Sequence, residues 1–417
     1  MEKESVKNHG PVLLAQDYSV VAKVPEDTND FYSFFPSNAF AGLGDGKFLV
    51  ASSVIQRPSP GTSVVLVLRS LDNGLTWNET ARLNFKSEVE VALFAKDGRV
   101  FMLIVSEGRD GILMVAASSD DGVTWETPVE VIHQTSAKFA NIPFEEKKWV
   151  KEKDDKDDFW FCAHQTAMLE HEGRLYFSLS RRCQTVCVAV CELASDILSP
   201  KSWRISQQAE MPIPKELTRN LFPGRSMRCL EGNVIKVKGS LRVMARAVID
   251  RYGTSNMAAI FDISDDGGEP KLTFGQFYPL PGGQCKFFII YDEKSRLYWM
   301  ASNPPADSQG ACDLPERKTP PGNDRRFMML WYACDALNWF PAGCIAMTEN
   351  LNEAFMYPSI VIDGDDLAIL SRTSKLYEGL RSAERAKKGF HDANLLTFHR
   401  VRNFRALALN IFPKMWR

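Results

Sequence analysis

The eight residues Ser118-Ser119-Asp120-Asp121-Gly122-Val123-Thr124-Trp125 repeat the stretch Ser70-Leu71-Asp72-Asn73-Gly74-Leu75-Thr76-Trp77, and both follow the pattern Ser-x-Asp-x-Gly-x-Thr-Trp. Each copy comes after an alternating apolar run, which predicts a hairpin turn between two strands. In such a turn the Asp carboxylate accepts hydrogen bonds from backbone amides, Gly adopts a positive φ, and Trp anchors the next strand in apolar surroundings. We therefore expect both copies to be structural turns.

A second repeat predicts the architecture. Six times a turn leads into an apolar strand that tends to end in Ser or Arg, at residues 44–52, 97–106, 172–181, 238–246, 294–302 and 363–372. Six copies predict an all-β, six-bladed β-propeller, with residues 1–417 forming a single domain. The expected blades are 30–84, 88–133, 159–212, 229–280, 283–348 and 354–411.

The same pattern predicts how the ring closes and where the chain leaves it. Residues 12–14 or 20–24 are expected to pair with the last blade at 404–410, which would hide both sheet edges. The charge-rich or Pro/Gly-rich segments 144–158, 304–323 and 375–388 are expected to be insertions outside the blades.

Composition narrows the range of partners. The 417 residues carry a net charge of −2, with 45% apolar and 24% charged residues, which gives no electrostatic reason to expect a nucleic acid or a membrane surface as partner. The first ten residues are polar and lack the apolar core of a signal peptide, so we expect either a cytoplasmic protein or a secreted or periplasmic one whose signal was removed. The nine Cys and six His residues show no metal-ligand spacing, and no metal or other cofactor is expected.

Arginine recurs where the second strands of the blades end. The candidates at or next to such ends are Arg57, Arg182, Arg246 and Arg372, and Arg228 precedes blade four. Guanidinium groups bind planar carboxylates through two parallel hydrogen bonds. Several of them converging on the propeller axis favour an acidic sugar as ligand, and we expect Arg57, Arg246 and Arg372 to reach one bound carboxylate.

The two Ser-x-Asp-x-Gly-x-Thr-Trp turns resemble the Asp-box of the sialidase superfamily, and further residues extend the resemblance. Glu231, before a strand and a Gly turn, and Arg246, at the end of the next strand, match the pattern of that family's fourth blade. Tyr357 matches the position of its nucleophile, and Arg57 matches an arginine of its first blade. The resemblance implies an exo-acting glycoside hydrolase for a terminal carboxylated sugar, in which Glu231 activates Tyr357 and the two are hydrogen-bonded neighbours.

The general acid is not evident, because residues 57–62 contain no Asp or Glu. His164 and Asp110 are the catalytic candidates that replace it, and Gln165 and His391 are expected to face the same central well as ligand-binding residues. Two other functions stay open: a polysaccharide lyase on a uronate-containing glycan, and a non-catalytic glycan-binding propeller.

Overall fold

The computed structural model describes residues 12–23, 31–57, 63–106, 111–134, 161–162, 166–181, 185–212, 228–249, 256–305, 325–350, 353–375 and 393–409. Within these ranges only the backbone is described for 31–38, 55–57, 161–162 and 181. The expected insertions 144–158, 304–323 and 375–388 lie almost wholly outside the described residues. Among the described residues, no helix has the length and apolar composition needed to cross a bilayer.

The described chain consists almost entirely of strands, which form six antiparallel sheets. Blade one contains β2 (Phe31–Gly44), β3 (Lys47–Arg57), β4 (Ser63–Ser70) and β5 (Asn78–Phe85). Blade two contains β6 (Val89–Lys96), β7 (Arg99–Ser106), β8 (Gly111–Ser118) and β9 (Val129–Gln134). Blade three contains β10 (Phe161–Cys162), β11 (Leu169–His171), β12 (Arg174–Arg181), β13 (Thr185–Glu192), β14 (Trp203–Ile205) and β15 (Ala209–Glu210).

The remaining three sheets complete the ring. Blade four contains β16 (Arg228–Val237), β17 (Ser240–Val248), β18 (Met257–Ser264) and β19 (Lys271–Pro279). Blade five contains β20 (Phe288–Asp292), β21 (Leu297–Ser302), β22 (Phe327–Ala333) and β23 (Phe340–Met347). Blade six contains β24 (Ala354–Asp363), β25 (Asp366–Ser374), β26 (Leu395–Val401) and, on its outer edge, β1 (Tyr18–Lys23). Because β2 contacts both β6 and β24, the inner strands form a closed ring.

The predicted six-bladed propeller is therefore confirmed, and the six repeats are the second strands of the six blades. Four of the turns that lead into them have two successive residues at positive φ, as in Asp97-Gly98 and Glu172-Gly173. This geometry matches the right-handed twist of a two-residue hairpin, which explains why Gly recurs there. Apolar side chains pack between neighbouring blades; one such cluster joins Phe101 of blade two to Phe177 of blade three.

The ring closes one strand earlier than expected. β1 pairs with β26, in the register Val20 opposite Thr397, and not with residues 404–410. Phe404–Leu407 forms a short 3-10 helix, because Asn403 adopts a left-handed conformation that ends the extended chain. Residues 14 and 15 also donate backbone hydrogen bonds to the carbonyls of Cys344 and Ile345 in β23. The segment that contains β1 therefore bonds to the outer strands of both blade five and blade six.

The two Ser-x-Asp-x-Gly-x-Thr-Trp turns have the same hydrogen-bond network. In the second copy, the backbone N–H and side-chain hydroxyl of Thr124 donate to Asp120 at 2.8 Å and 2.6 Å, and the Trp125 indole donates to the Gly122 carbonyl at 3.2 Å. The first copy repeats these contacts through Thr76, Asp72 and Trp77. More divergent turns keep part of the network, since Asp335 still accepts backbone hydrogen bonds from residues 337 and 338.

These contacts predict an acid-sensitive contribution to stability. Hydrogen bonds from Thr76 and Thr124 lower the pKa of Asp72 and Asp120 from 3.8 to about 2. A carboxyl whose pKa is depressed in the folded state stabilises that state above its unfolded pKa, and the contribution disappears as the pH falls through the folded value. We therefore expect Asp120→Asn to weaken the fall in the free energy of unfolding between about pH 4 and pH 2, as measured by urea denaturation. Thr124→Val should give an intermediate slope, whereas equal slopes in all three proteins would contradict the prediction.

Two buried asparagines bridge neighbouring blades. The Asn233 side chain accepts hydrogen bonds from the backbone N–H groups of Ala167 at 3.3 Å and Ile289 at 3.1 Å, and donates to the Phe287 carbonyl at 3.2 Å. It thus connects blades three, four and five. Asn303 donates to the carbonyls of Phe327 and Phe355, which connects blade five to blade six. These bonds satisfy backbone groups at or near strand ends, where adjacent sheets do not pair.

Candidate active site

Two inner strands carry the same irregularity near their first residues. In β16 the register passes from Leu230 opposite Arg246 to Asn233 opposite Met244, which leaves Glu231 as a bulged residue at a φ of 57°. In β24 the register passes from Met356 opposite Arg372 to Ser359 opposite Leu370, which leaves Tyr357 at a φ of 52°. A bulge redirects a side chain out of the strand's alternation. The two blades therefore present Glu231 and Tyr357 in equivalent positions, each beside an arginine of the next strand.

Hydrogen bonds to the backbone fix both bulges. The Ser180 hydroxyl of blade three accepts the Glu231 N–H at 3.1 Å, and the Ser371 hydroxyl donates to the Met356 carbonyl at 3.2 Å. A non-glycine residue in the left-handed region costs about 1 kcal/mol, and such strain persists where surrounding contacts determine the conformation. The strained backbone at both positions marks this end of the inner strands as the candidate site.

Glu231 forms an ion pair with Arg246. The Arg246 Nη1 group donates to Glu231 Oε2 at 3.0 Å, and Arg246 Nε donates to the Gln284 carbonyl at 2.6 Å. The Glu231 side chain is 1% exposed, whereas that of Arg246 is 12% exposed, so the arginine lies nearer to solvent. Burial alone would lower the pKa of Arg246, but the nearby negative charge of Glu231 outweighs it and the net shift of the pKa is upward.

Three cationic groups surround the Tyr357 ring. The guanidinium carbons of Arg325 and Arg372 lie 5.0 Å and 5.2 Å from the ring centroid, and Lys286 Nζ lies 5.5 Å from it. All three side chains are almost fully buried. Arg325 also donates to the sulfur atoms of Cys285 at 3.5 Å and Met356 at 3.4 Å, which holds its guanidinium against the ring. Three basic side chains of blades five and six thus pack around the ring of Tyr357.

Lys286 lies among charges of both signs. Burial lowers the pKa of its ammonium to about 7, a shift that the carboxylates of Glu231 and Glu90 oppose and Arg372 reinforces. Glu90 is a buried residue of β6, so blade two also contributes a charge to this cluster. We call the residues Glu90, Glu231, Arg246, Lys286, Arg325, Tyr357 and Arg372 the charged cluster.

The structure brings together four of the residues that the sequence pointed to: Glu231, Arg246, Tyr357 and Arg372. Arg228 is solvent-exposed at the first position of β16. Arg57 ends β3, but its side chain is not described, so its predicted contact with the same carboxylate stays a prediction. The candidates His164, Gln165, Asp110, Arg182 and His391 lie outside the described residues.

Three members of the charged cluster were missed because they do not end a second strand. Arg325 and Lys286 precede β22 and β20, and Glu90 is the second residue of β6. A signal was present in each case. Glu90 interrupts the apolar run 89–95, Lys286 directly precedes the apolar run 287–290, and Arg325 is the first of two arginines before 327–333. Charged residues adjoining a buried strand are rarely left without a partner.

The charged cluster combines buried cations with a carboxylate and a tyrosine, and these groups define what it can bind. Buried guanidinium groups in an enclosed site bind a carboxylate strongly, because little water competes with them. The same cluster places a tyrosine ring among three cations and contains a buried carboxylate, Glu231. The buried cations of this cluster are suited to holding an anion.

No family model and no curated protein matches the chain. Solved structures do match. The sialidase of Trypanosoma rangeli, in complex with sialic acid, is 15% identical with a TM-score of 0.57, and the match covers 94% of this chain and 60% of that one. The α-L-arabinanase of Penicillium chrysogenum, in complex with arabinobiose, is 14% identical with a TM-score of 0.52 over 93% and 98%. An α-L-arabinofuranosidase of Fusarium graminearum is 12% identical with a TM-score of 0.54 over 93% and 98%. The chain therefore has the six-bladed propeller fold of these sialidase and arabinan-degrading glycoside hydrolases.

Proposed function

We propose that this protein is an exo-acting glycoside hydrolase that releases a terminal carboxylated sugar. The observation that carries the proposal is the ring of Arg325, Arg372 and Lys286 around Tyr357, with the Arg246–Glu231 pair beside it. Several buried cations around one side chain form a site that is suited to binding an anion. The likeness to glycoside hydrolases of known structure supports the same reading, and the bound sialic acid of one of them is an acidic sugar.

In this mechanism the sugar carboxylate binds to Arg246, Arg325 and Arg372. Glu231 takes the proton of the Tyr357 hydroxyl, and the tyrosine oxygen forms a bond to the anomeric carbon as the bond to the leaving group breaks. A tyrosine suits this step because a carboxylate nucleophile would be repelled by the carboxylate next to the anomeric carbon. Asp110 or His164 donates a proton to the leaving group in this step. Water then attacks the anomeric carbon and gives a proton to that same residue, while the glycosyl–tyrosine bond breaks and Glu231 returns its proton to the tyrosine oxygen.

The proposal is tested with two fluorogenic substrates, an umbelliferyl sialoside and an umbelliferyl arabinofuranoside. We expect fluorescence from the sialoside and none from the neutral arabinoside, because only the first carries the carboxylate. Release from the arabinoside alone would overturn the assignment of an acidic sugar. New ultraviolet absorbance with a uronate polymer would indicate a lyase, and binding of sialic acid without any product would indicate a glycan-binding module.

Arg325 provides a direct test of anion binding. Arg325→Ala should weaken the binding of sialic acid by about 10- to 100-fold, since one charge-assisted bidentate contact contributes about 1.5–3 kcal/mol. Arg325 is preferable to Arg246, whose removal would also leave the buried Glu231 carboxylate without its salt-bridge partner. Calorimetric titration measures the effect.

The matched control for this variant is Arg242→Ala. Arg242 pairs with Asp262 on the partly exposed face of blade four, so its loss should change the affinity less than twofold. Equal affinities of the Arg325→Ala variant and the parent would show that Arg325 does not contact the ligand.

A further inference from the structure

The ammonium of Lys286 has an unusual environment. Its side chain is 1% exposed, and among the described residues no atom accepts a hydrogen bond from Nζ. Its nearest described aromatic contact is the face of the Tyr357 ring, at 5.5 Å. A buried ammonium without a hydrogen-bond acceptor is costly, because it loses hydration and gains little in return. Lys286 contributes to the ring of cations around Tyr357 but takes part in none of the proton transfers proposed for Glu231 and Tyr357.

The charges around Lys286 do not compensate for that loss. Among the described residues, the groups that act on Lys286 or belong to the same charged cluster are Glu90 of β6, Glu231 of β16, Arg246 of β17, Arg325 before β22, Tyr357 of β24 and Arg372 of β25. Among the described residues, the charged cluster contains four basic side chains and two carboxylates. The described members of the charged cluster therefore include an excess of basic over acidic side chains.

Lys286 is the group that relieves this excess. Arginine does not lose its proton in proteins, whereas a lysine does so readily when it is buried. The pKa of Lys286, lowered by burial to about 7, agrees with this division of roles. Some of the Lys286 side chains are therefore neutral near neutral pH, while the three arginines stay charged.

We propose that Lys286 couples ligand binding to the uptake of a proton: the lysine is partly neutral in the unliganded protein and becomes fully protonated when a carboxylated ligand binds beside the arginines. The proton comes from the solvent, and no other bond is made or broken. The inference rests on the proposed function, since it needs an anionic ligand in the charged cluster. It makes Lys286 a specificity-determining residue, because a neutral sugar supplies no charge to retain the proton.

The coupling is measured by calorimetric titration of sialic acid in phosphate and in Tris, two buffers with different ionisation enthalpies. We expect the proton uptake per ligand to increase from pH 6 to pH 8, because the unliganded Lys286, with a pKa of about 7, loses its proton across this range. The affinity should fall by up to about tenfold per pH unit above pH 7, since each unit makes the proton tenfold scarcer.

Three variants separate Lys286 from other groups that titrate. Lys286→Met should bind more weakly than the parent at pH 6, with no proton uptake and no fall in affinity up to pH 9. Lys286→Arg should bind without uptake but keep the affinity at pH 8, because its charge is permanent. Lys236→Met, which replaces an exposed lysine of the same blade as Glu231, should behave as the parent. A melting temperature of Lys286→Met at or above that of the parent would show that the fold is retained.

The outcomes distinguish this inference from the proposed function. If sialic acid gives no heat with any of these proteins at any pH, the proposed function fails and the inference fails with it. If the parent and Lys286→Met bind with the same proton uptake, the inference alone is overturned. A measurement without ligand gives an independent decision: in a carbon-13 NMR titration of labelled lysine, the resonance missing from Lys286→Met should titrate near pH 7, and a midpoint near the ordinary ~10.4 would overturn the inference.

Discussion

Replacing Tyr357 by phenylalanine is expected to lower kcat on an acidic glycoside by about 10³-fold or more, with little change in the affinity for the free sugar. The variant removes one oxygen atom and keeps the ring on which Lys286, Arg325 and Arg372 pack. The binding contacts should therefore persist, while the bond to the anomeric carbon cannot form. Steady-state kinetics together with calorimetric binding separates the two effects.

Glu231→Gln should cause a loss of similar size, and the double variant should be no worse than either single one. Both substitutions disable the same proton transfer, so their effects on the activation free energy should not add. The amide introduced by Glu231→Gln would still present an oxygen to Arg246, which limits the damage to the ion pair. Full activity of Tyr357→Phe would exclude the tyrosine as nucleophile. A crystal structure with the Tyr357 hydroxyl and the Glu231 carboxylate far apart, and no water between them, would exclude the direct proton transfer.

Asn233→Ala should destabilise the protein by about 3 kcal/mol or more. The substitution removes three hydrogen bonds and leaves two backbone N–H groups and one carbonyl buried and unsatisfied, at about 1–3 kcal/mol each before relaxation. Urea denaturation followed by tryptophan fluorescence measures the change. Asn78→Ala, which replaces an exposed asparagine of β5, should change the free energy of unfolding by less than about 0.5 kcal/mol. Equal effects of the two variants would show that the bridge between blades three, four and five is not stabilising.

The sequence predicts the fold well because the same local pattern of turns and strands recurs from blade to blade. Turn residues with positive φ, such as the Asp97-Gly98 pair, and the Trp anchors of the Asp72 and Asp120 turns are local features that depend on a few neighbouring residues. The closing contact was located wrongly because residues 404–407 are apolar for another reason. Phe404 packs edge-on against Trp299 at 4.8 Å, and Arg405 forms two hydrogen bonds of 2.7 Å with Asp292 of blade five. An apolar run that packs against another blade is indistinguishable in sequence from a short strand.

The candidate site was only partly predictable, because some of its residues are placed by local repeats and others by long-range contacts. Arg246 and Arg372 both lie near the end of the second strand of their blades. This repeated position can be recognised in a single sequence. Lys286 and Arg325 instead depend on the paths of the segments before β20 and β22, which long-range contacts such as Arg246 to the Gln284 carbonyl determine. Their convergence on Tyr357 depends on the diameter of the closed ring, and no local pattern encodes it.

The pairing of β1 with β26 also constrains the order in which the chain folds during synthesis. β1 is synthesised before the other described strands, and its partner β26 is made about 375 residues later, which takes tens of seconds at ordinary elongation rates. Through that interval the blades can assemble one after another, while β1 is an unpaired edge strand that other chains can capture. Newly made protein is therefore most prone to aggregate before β26 is released. A chaperone that binds the extended, unpaired β1 should raise the yield of this protein more than one that acts after β26 has been made.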